Sequence, residues 1–433
     1  MKLGSFLLST ALLPYSIAHA QSDAITIPSG TPLPVTIKQH LAMKAGEPVR
    51  AELIYPVYDH DHLVLPAGTT VAGTVVALTP DRTRRIHARL RADFTPFHIP
   101  VVRFNEVILA NGTHLPLTTG TATDGAPIYR LVPPPPAKGG FVSRQFEAVK
   151  QMAKDRIAVV TGPDKGDRLK QLLYSQLPYH PERIEKDTSW TVDTAAPLDL
   201  PGSVSASSKP PTAAAPDAPA ATWILQAYLA DSLSSATSKP GQPIKAIVAE
   251  PIVNPDGTIA VPQGSILTGA ITQAKPARSF GRVGELRFSF GQITFPGAQP
   301  QAVQAALTGA DGAGDMAMNS EGEVKPKPKD KLVVPLILIA LAARPLDQDG
   351  GRENHAFAKN AVASNSLGTI GFIIGTAAQK PYLAAGIGYY GSAISIYERL
   401  IRKGKEVAFA HDTRVVVQTT ARRGSAIKPA AQP

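Results

Sequence analysis

The chain has 433 residues, a formal net charge of +10 and no cysteine. That length exceeds one ordinary hydrophobic core and suits two domains. The lack of cysteine excludes disulfides, thiolate chemistry and cysteine-ligated metals. Forty prolines and 35 glycines, with only 18% charged residues, favour many turns and short strands. The composition therefore predicts a mainly β protein with helical insertions.

The N-terminus has the pattern of an export signal. One lysine precedes an apolar run from Phe6 to Leu13, and Ala18-His19-Ala20 is the small-x-small sequence that signal peptidases cut after. The apolar run, even extended to Ile17, is about 12 residues and too short for the roughly 20 that span a bilayer. We predict a signal peptide over residues 1–20, cleaved after Ala20, and a periplasmic location. An uncleaved anchor is the alternative.

One turn occurs twice in the chain, as "VLPAGTTVAG" at 64–73 and as "AVPQGSILTG" at 260–269. Proline presets one backbone angle and glycine, two residues later, is free to take a positive φ, so each stretch predicts a β-hairpin. Gly73 and Gly269 stand inside strand-like runs, where a missing side chain indicates a bulge or a sharp bend.

The match extends beyond the turn and predicts an internal duplication. Upstream, "GEPVRA" at 46–51 aligns with "GQPIKA" at 241–246, and near the ends "DTSWTV" at 187–192 aligns with "DTRVVV" at 412–417. We expect two tandem small β-barrel or sandwich domains. The predicted boundaries are a first copy at 24–199 with a helical insertion at about 119–180, a linker at 200–222, a second copy at 223–422 with an apolar insertion at about 331–403, and a disordered tail at 423–433.

The second insertion carries a glycine pattern typical of close helix packing. Two sets of glycines, separated by a polar break at Gln379-Lys380-Pro381, predict a helical hairpin whose faces let backbones approach. The glycines are Gly368, Gly371, Gly375, Gly386, Gly388 and Gly391. Each arm of about 15 to 20 residues lies near the lower limit for spanning a bilayer. We predict membrane or subunit contact through 364–403; packing of the hairpin on its own barrel is the alternative.

These motifs together resemble the TrbI-like family, the β-barrel outer-membrane core subunits of type IV secretion and conjugation systems. The residues that carry the resemblance are Gly46, Tyr58, Asp59, Leu65, Pro66, Gly68, Thr69 and Gly73, repeated by Gly241, Pro262, Gly264, Ser265 and Gly269. In that family a helical pair projects from the barrel and, in a ring of subunits, lines a pore through the outer membrane. The resemblance implies that Leu367 to Leu400 is its counterpart. The family usually has a single barrel after an inner-membrane anchor, whereas this sequence predicts two barrels after a signal peptide.

The densest set of metal-type ligands is Asp59, His60, Asp61 and His62. Consecutive hairpin residues point in alternate directions, so at most two of them could bind one ion without outside help. They are weak metal candidates, with a solvated loop as the alternative. The sequence has neither a Gly-x-Ser-x-Gly elbow nor paired carboxylates that can be placed on one face. We expect no catalytic residues, no cofactor and no enzymatic activity.

Two basic stretches, Pro80 to Phe94 and Glu398 to Glu406, lack interleaved stacking aromatics, which favours a solvated surface over nucleic-acid binding. The sequence thus predicts a non-enzymatic cell-envelope protein with a structural or assembly role, associated with the outer membrane and contacting itself or other envelope proteins. The first alternative is a soluble periplasmic binding module for a polysaccharide or a protein, with the hairpin packed inward. A third hypothesis, an exported hydrolase, is supported only by the Asp/His cluster at 59–62.

Overall fold

The structure is a computed structural model that describes residues 25–123, 125–133, 177–200, 222–327 and 401–420, with isolated residues between 377 and 397. The predicted signal peptide with its cleavage point at Ala20 and the predicted tail at 423–433 lie outside the described residues. So do residues 201–221 of the predicted linker and most of both insertions.

The elements are nearly all short strands. The first half of the chain forms β1 (Ile25–Ile27), β2 (Pro32–Ile37), β3 (Leu41–Ala42), β4 (Pro48–Leu53), β5 (Val57–Asp59), β6 (His62–Leu65), β7 (Thr70–Pro80), α1 (Arg82–Arg89), β8 (His98–Ile108), β9 (His114–Pro116), β10 (Thr121–Ala122), β11 (Ala126–Pro127), β12 (Tyr129–Leu131), β13 (Arg183–Ile184), β14 (Thr188–Asp193) and β15 (Leu198–Leu200). The second half forms β16 (Ile224–Leu229), β17 (Leu233–Ser234), β18 (Pro243–Val248), β19 (Ile252–Val253), β20 (Ile259–Val261), β21 (Ile266–Lys275), β22 (Glu285–Thr294), β23 (Gln301–Gly312), β24 (Met316–Met318), β25 (Val324–Pro326), β26 (Ala408–Phe409) and β27 (Arg414–Thr420). The mainly β prediction is confirmed.

The first β-domain is built on a twisted antiparallel sheet with the order β10-β8-β7-β4-β2-β14-β11, to which β9 adds by pairing with β8. Its strands alternate as half-buried strands do: in β4, Val49, Ala51 and Leu53 point into the core while Arg50 points out. The core contains Phe104 edge-on to Trp190, with ring centroids 6.3 Å apart.

The second β-domain contains a closed barrel of six strands. The order β23-β27-β16-β18-β21-β22 closes on itself because β22 also pairs with β23. Because the barrel is closed, each of these six strands has a neighbour on both sides over part of its length, and that part has no free edge. The interior is apolar, and Phe288 lies edge-on to both Phe290 and Phe409 at its centre. A small closed barrel is therefore confirmed for this domain.

The aligned glycines Gly73 and Gly269 each lie at an irregularity in strand pairing. Strand pairing shifts register between Ala72 and Gly73 and again between Thr268 and Gly269. A Cβ on Gly73 would lie 2.2 Å from the Arg103 carbonyl oxygen, and one on Gly269 would lie 2.1 Å from the Ser289 carbonyl oxygen. Only glycine allows the neighbouring strand to approach so closely.

The predicted helical insertion at about 119–180 instead begins with strands. Residues 121–131 hold β10, β11 and β12, and β12 crosses to the second β-domain, where Tyr129 pairs with Gly312 and Leu131 with Ala310. The physical reason is an open edge: β22 pairs only with residues 301–306 of β23, so the remainder of that edge needs a partner. Residues 134–176 lie outside the described part.

The second insertion is described only in places. Gly386 and Gly391 of the predicted hairpin are helical, as are Ile387, Tyr389, Tyr390, Ala393 and Ile394. Gly368, Gly371, Gly375 and Gly388 lie outside the described residues, and so does any pairing of two arms. Across the described residues, the structure has no helix with the length and apolarity needed to cross a bilayer.

Candidate functional site

The chain leaves the second β-domain after β25 and returns to it before β26, and both ends lie on one cleft of about 1210 Å³. Pro326 and Lys327 line the cleft where the chain departs, and residues 402–405 line it where the chain returns. The departing end is fixed by a hydrogen bond of 2.5 Å from the Lys327 amide to the Asp315 carbonyl. We call residues 326–327 with 401–405 the insertion root.

The loop between β21 and β22 is fastened to this root by its backbone. The Phe280 amide donates to the Ile401 carbonyl (3.1 Å), and the Gly281 amide donates to the Arg402 carbonyl (2.9 Å). In return, the Gly404 amide donates to the Arg278 carbonyl at 3.0 Å. A Cβ on Gly404 would come within 2.1 Å of the Arg282 carbonyl oxygen, so glycine is required for this contact. The loop and the root therefore form one surface.

The cleft is strongly basic. Seven of its sixteen lining residues are Lys or Arg and two are carboxylates. Lys275 pairs with Glu285 at 2.8 Å, and Lys405 pairs with Asp315. Among the residues that the structure describes, Arg278, Arg282 and Lys327 form no ion pair, and all three are exposed. An excess of positive charge is thus presented to solvent at the mouth of the insertion.

Glu285 is held by two lysines. Its oxygens accept hydrogen bonds from Lys275 and Lys325, both at 2.8 Å. These bonds lower the pKa of Glu285 to about 2, while the pKa of Lys325 is raised, chiefly by its bond to Glu285. Because Glu285 already pairs with two lysines, its negative charge does not neutralise the neighbouring arginines.

Exposed apolar side chains lie beside these cations. Phe280 is 69% exposed and has a φ of 63°, a left-handed conformation that is rare for a bulky residue. Ile401, whose carbonyl accepts from Phe280, is 49% exposed. This site was not predicted from the sequence, although an aromatic residue between two arginines in a short connection, "RSFGR" at 278–282, was a visible signal.

A second basic element meets the root. Helix α1 begins at an Asp81 cap, whose side chain accepts from the Arg84 amide at 2.9 Å, and none of its residues is buried. His87 on α1 lies 2.9 Å from the Arg402 guanidinium, measured from Nε2 to Nη2. The helix also exposes Ile86 (60%) and, just beyond its end, Leu90 (44%). The two basic stretches, which the sequence predicted to be solvated surface, are therefore brought together.

Among the described connections between strands, Lys and Arg cluster in one set. Since neighbouring strands are antiparallel, successive connections lie at alternate ends of a domain. Those at 54–69, 109–113, 249–265 and 295–300 contain no Lys or Arg. At the other ends, the connections at 38–47, 81–97, 230–242, 276–284 and 401–413 each contain at least one, and the short connection at 313–315 has none. The insertion root lies among the basic connections, so the charge is polarised toward the end from which the insertion departs.

The four weak metal candidates lie at the tip of the β5–β6 hairpin. His60 and Asp61 occupy its turn with φ of 46° and 67°, and Asp59 pairs with His60 at 3.0 Å. Asp61 accepts from the Gln263 amide at 2.5 Å, and Gln263 donates to the Tyr58 carbonyl at 2.7 Å. This hairpin thus helps join the two domains, and its side chains do not converge on a single point. His62 also has a partner within the structure.

A different trio brings metal-type ligands together. One ligand atom each from Asp193, His411 and Asp412 lie within 4.8 Å of one another. Burial, followed by the charge of Asp193, raises the pKa of Asp412 to about 6, although His411 opposes this. Three ligand atoms, two of them on exposed residues, fall short of the four that a structural zinc site closes. The trio acts as a charged contact between the domains.

The main joint between the domains is a buried polar network. The Tyr55 hydroxyl lies 2.6 and 2.8 Å from the two carboxylate oxygens of Asp311. The Arg414 guanidinium stacks 3.7 Å from the centre of the Tyr55 ring and pairs with Glu250. Arg414 is 4% exposed and Asp311 8%, so these charges depend on their partners. Burial raises the pKa of Asp311, which the Tyr55 bond and Arg130 oppose.

No family model matches the chain, and no curated protein does either. Among the solved structures that it resembles is ComB10 of the Com type IV secretion system of Helicobacter pylori. The identity is 13% and the TM-score 0.21, over 41% of this chain and 90% of that one. A likeness at this level carries no argument about fold or function, and the site is defined by its own geometry.

Proposed function

We propose that the protein is a non-enzymatic cell-envelope component with a structural or assembly role, which uses its second insertion to contact a membrane or neighbouring subunits. The single observation that carries this proposal is the insertion root. Both ends of the excursion from 328 to 400 lie on one cleft, at the basic end of the barrel. The barrel is complete without the excursion, because the strands that close it all lie outside that range.

The apolar sequence of the excursion supports the same proposal. "LVVPLILIALAA" and the glycine-rich segments at 368–391 need a partner surface, since apolar area of this size is costly to leave in water. The resemblance of the sequence motifs to the TrbI-like family fits an outer-membrane location and a role in secretion or conjugation. Export through the predicted signal peptide belongs to the same proposal.

We also propose that the two β-domains arose by duplication. The aligned glycines Gly73 and Gly269 take the same place in their strands and approach the following strand equally closely. The aligned Asp187 and Asp412 both take a left-handed conformation, with φ of 63° and 59°. Under this proposal the apolar, glycine-rich insertion is the part that distinguishes the second copy from the first. The contact with a membrane or with other subunits is therefore assigned to it.

The test is a chain in which residues 331–400 are replaced by a short Gly-Ser linker, which the proximity of the two ends allows. We expect the full chain to stay with membranes through a carbonate wash, or to form oligomers by light scattering. The shortened chain should be released as a monomer. Circular dichroism with a cooperative thermal transition establishes that the shortened chain keeps its barrel.

The opposite outcome is a full chain that is washed off completely and has the same oligomeric size as the shortened one. The excursion would then pack on its own barrel, and the protein would be a soluble binding module.

A further inference from the structure

We propose that the basic end of the molecule docks on an anionic phospholipid surface. The docking surface comprises the 278–282 loop, the insertion root and α1. This inference rests on the proposed function, because it names the partner of the end from which the insertion departs. It adds contacts made by the described β-domains themselves, independent of any insertion into the bilayer.

Charge complementarity is the first argument. Arg278, Arg282 and Lys327 are exposed and form no ion pair among the described residues, and Arg402 has a histidine, not a carboxylate, as its partner. Cations close to an anionic leaflet each add to binding, and their effect is lost within a Debye length. Backbone hydrogen bonds between the loop and the root hold three of these cations on one rigid surface, so little ordering is needed on docking.

Exposed apolar tips are the second argument. Phe280 stands between two arginines with 69% of its surface exposed, and Ile86 and Leu90 are exposed on and beside the arginine-rich α1. Basic groups with interspersed apolar side chains match an interface in which cations meet phosphates and apolar groups enter the acyl boundary. The positive φ of Phe280 holds its ring outward at a cost in backbone energy, which a purely structural turn would avoid with glycine.

A nucleic acid is the less suitable anionic partner. Sequence-tolerant binding of nucleic acid uses aromatic platforms on which successive bases stack. The exposed aromatics at this end are Phe280 on the loop and Phe94 beyond α1, which lie on separate connections, while aliphatic Ile86, Leu90 and Ile401 are exposed beside the cations. Aliphatic groups between cations favour a lipid surface.

The experiment is vesicle co-sedimentation of the full chain, with vesicles of phosphatidylcholine alone or mixed with phosphatidylglycerol. We expect preference for the mixed vesicles, weakened by salt. The triple variant R278S/R282S/K327S should bind them about 100-fold more weakly, at about fivefold for each cation. F280S should weaken binding about tenfold, from lost apolar contact.

The matched control is R50S/R103S/K245S, which removes the same charge from exposed positions on the strands. It should change binding only a few-fold, through the net charge. Equal losses in the two triple variants would overturn the proposal, and so would equal binding to both vesicle types. Stronger binding to duplex DNA than to mixed vesicles, measured by competition, would overturn it in favour of a nucleic acid.

The shortened chain separates this inference from the proposed function. If it still binds mixed vesicles and loses that binding on R278S/R282S/K327S, the docking surface stands whatever the insertion does. If the full chain resists the carbonate wash while the triple variant binds mixed vesicles unchanged, the proposed function stands and the docking surface is wrong.

Discussion

The two β-domains share their central strand order but differ in what their connections do. In both, four successive antiparallel strands are followed by a last strand that pairs beside the first of them, as β14 does with β2 and β27 with β16. The second domain closes its barrel through β22 and β23, whereas the first gives part of its chain, β12, to the edge of its neighbour. The two domains thus have a similar order of central strands. The first domain contributes a strand to its neighbour, and the second carries the long excursion between β25 and β26.

This difference indicates where function can reside. The central strands of each domain are closely packed, so substitutions there change the free energy of unfolding. The connections are free to carry charge, and in this molecule the described connections carry Lys and Arg at one end of each domain. Substitutions in the strands and between the domains can therefore show how similar the two sets of strands are and how firmly the domains are joined.

The largest expected effect comes from the two aligned glycines. Gly73→Ala and Gly269→Ala each place a Cβ against a backbone carbonyl, and the neighbouring strand cannot move without breaking its pairing. Each should lower the free energy of unfolding by about 3 kcal/mol, measured by urea denaturation.

The controls are Gly120→Ala and Gly291→Ala, one in each domain, where the structure places nothing within 4 Å of the new Cβ. They should stay within about 0.5 kcal/mol of the parent chain. If Gly73→Ala were as mild as Gly120→Ala, the equivalence of the two sets of strands would be lost.

The joint between the domains comes next. Tyr55→Phe removes the hydroxyl that both oxygens of Asp311 contact, so a buried carboxylate loses a partner. Such a loss costs about 2 kcal/mol, and calorimetry should resolve the single transition into two. Because burial raises the pKa of Asp311, its ionised form is disfavoured in the folded state. The cost of Tyr55→Phe should therefore grow as the pH rises above the ordinary aspartate range.

Tyr58→Phe is the matched control, since only the backbone carbonyl of Tyr58 has a hydrogen bond across the joint. It should leave one transition at an unchanged Tm. Two transitions in the parent chain itself would mean that the joint does not couple the domains.

The smallest expected effect is at the charged trio. The pKa of Asp412 is about 6 in the folded protein, against 3.8 ordinarily, so its ionisation lowers stability as the pH rises through that window. Asp412→Asn removes this penalty, and asparagine also tolerates the φ of 59°. Solvent exposure limits the gain at neutral pH to about 1 kcal/mol. Thermal melts across the window should show it, with no gain below its lower edge.

Asp193→Asn provides the companion measurement. It removes the negative charge of Asp193, the second cause of the raised pKa of Asp412. It should therefore give part of the increase in stability expected for Asp412→Asn. If both variants melted as the parent chain does at every pH, Asp193 and Asp412 would not interact.

Local patterns in the sequence predicted much of the central strand pattern but little of the site. The turns at 64–73 and 260–269 were readable because turn residues and strand glycines depend on their neighbours. The prediction that each turn closes a β-hairpin is wrong. β6 pairs with β5 and β20 with β19, whereas β7 and β21 pair with other strands of their sheets. Strand β12 was missed because three residues after a proline carry no periodicity, and their partner lies in the other domain. The meeting of His87 with Arg402 joins residues 315 apart, which no local pattern encodes. Arg278 and Phe280 were visible in the sequence, but their importance required the position of the root.

One measurement tests the central claim, that the insertion end faces the membrane. Because the chain has no cysteine, single cysteines can carry an environment-sensitive fluorophore at Ser279→Cys, beside the root, or at Ala298→Cys, in the exposed turn between β22 and β23 at the opposite end. Vesicles containing phosphatidylglycerol should shift the emission of the probe at 279 to the blue and leave that at 298 unchanged. A shift at 298 equal to or larger than that at 279 would contradict the account.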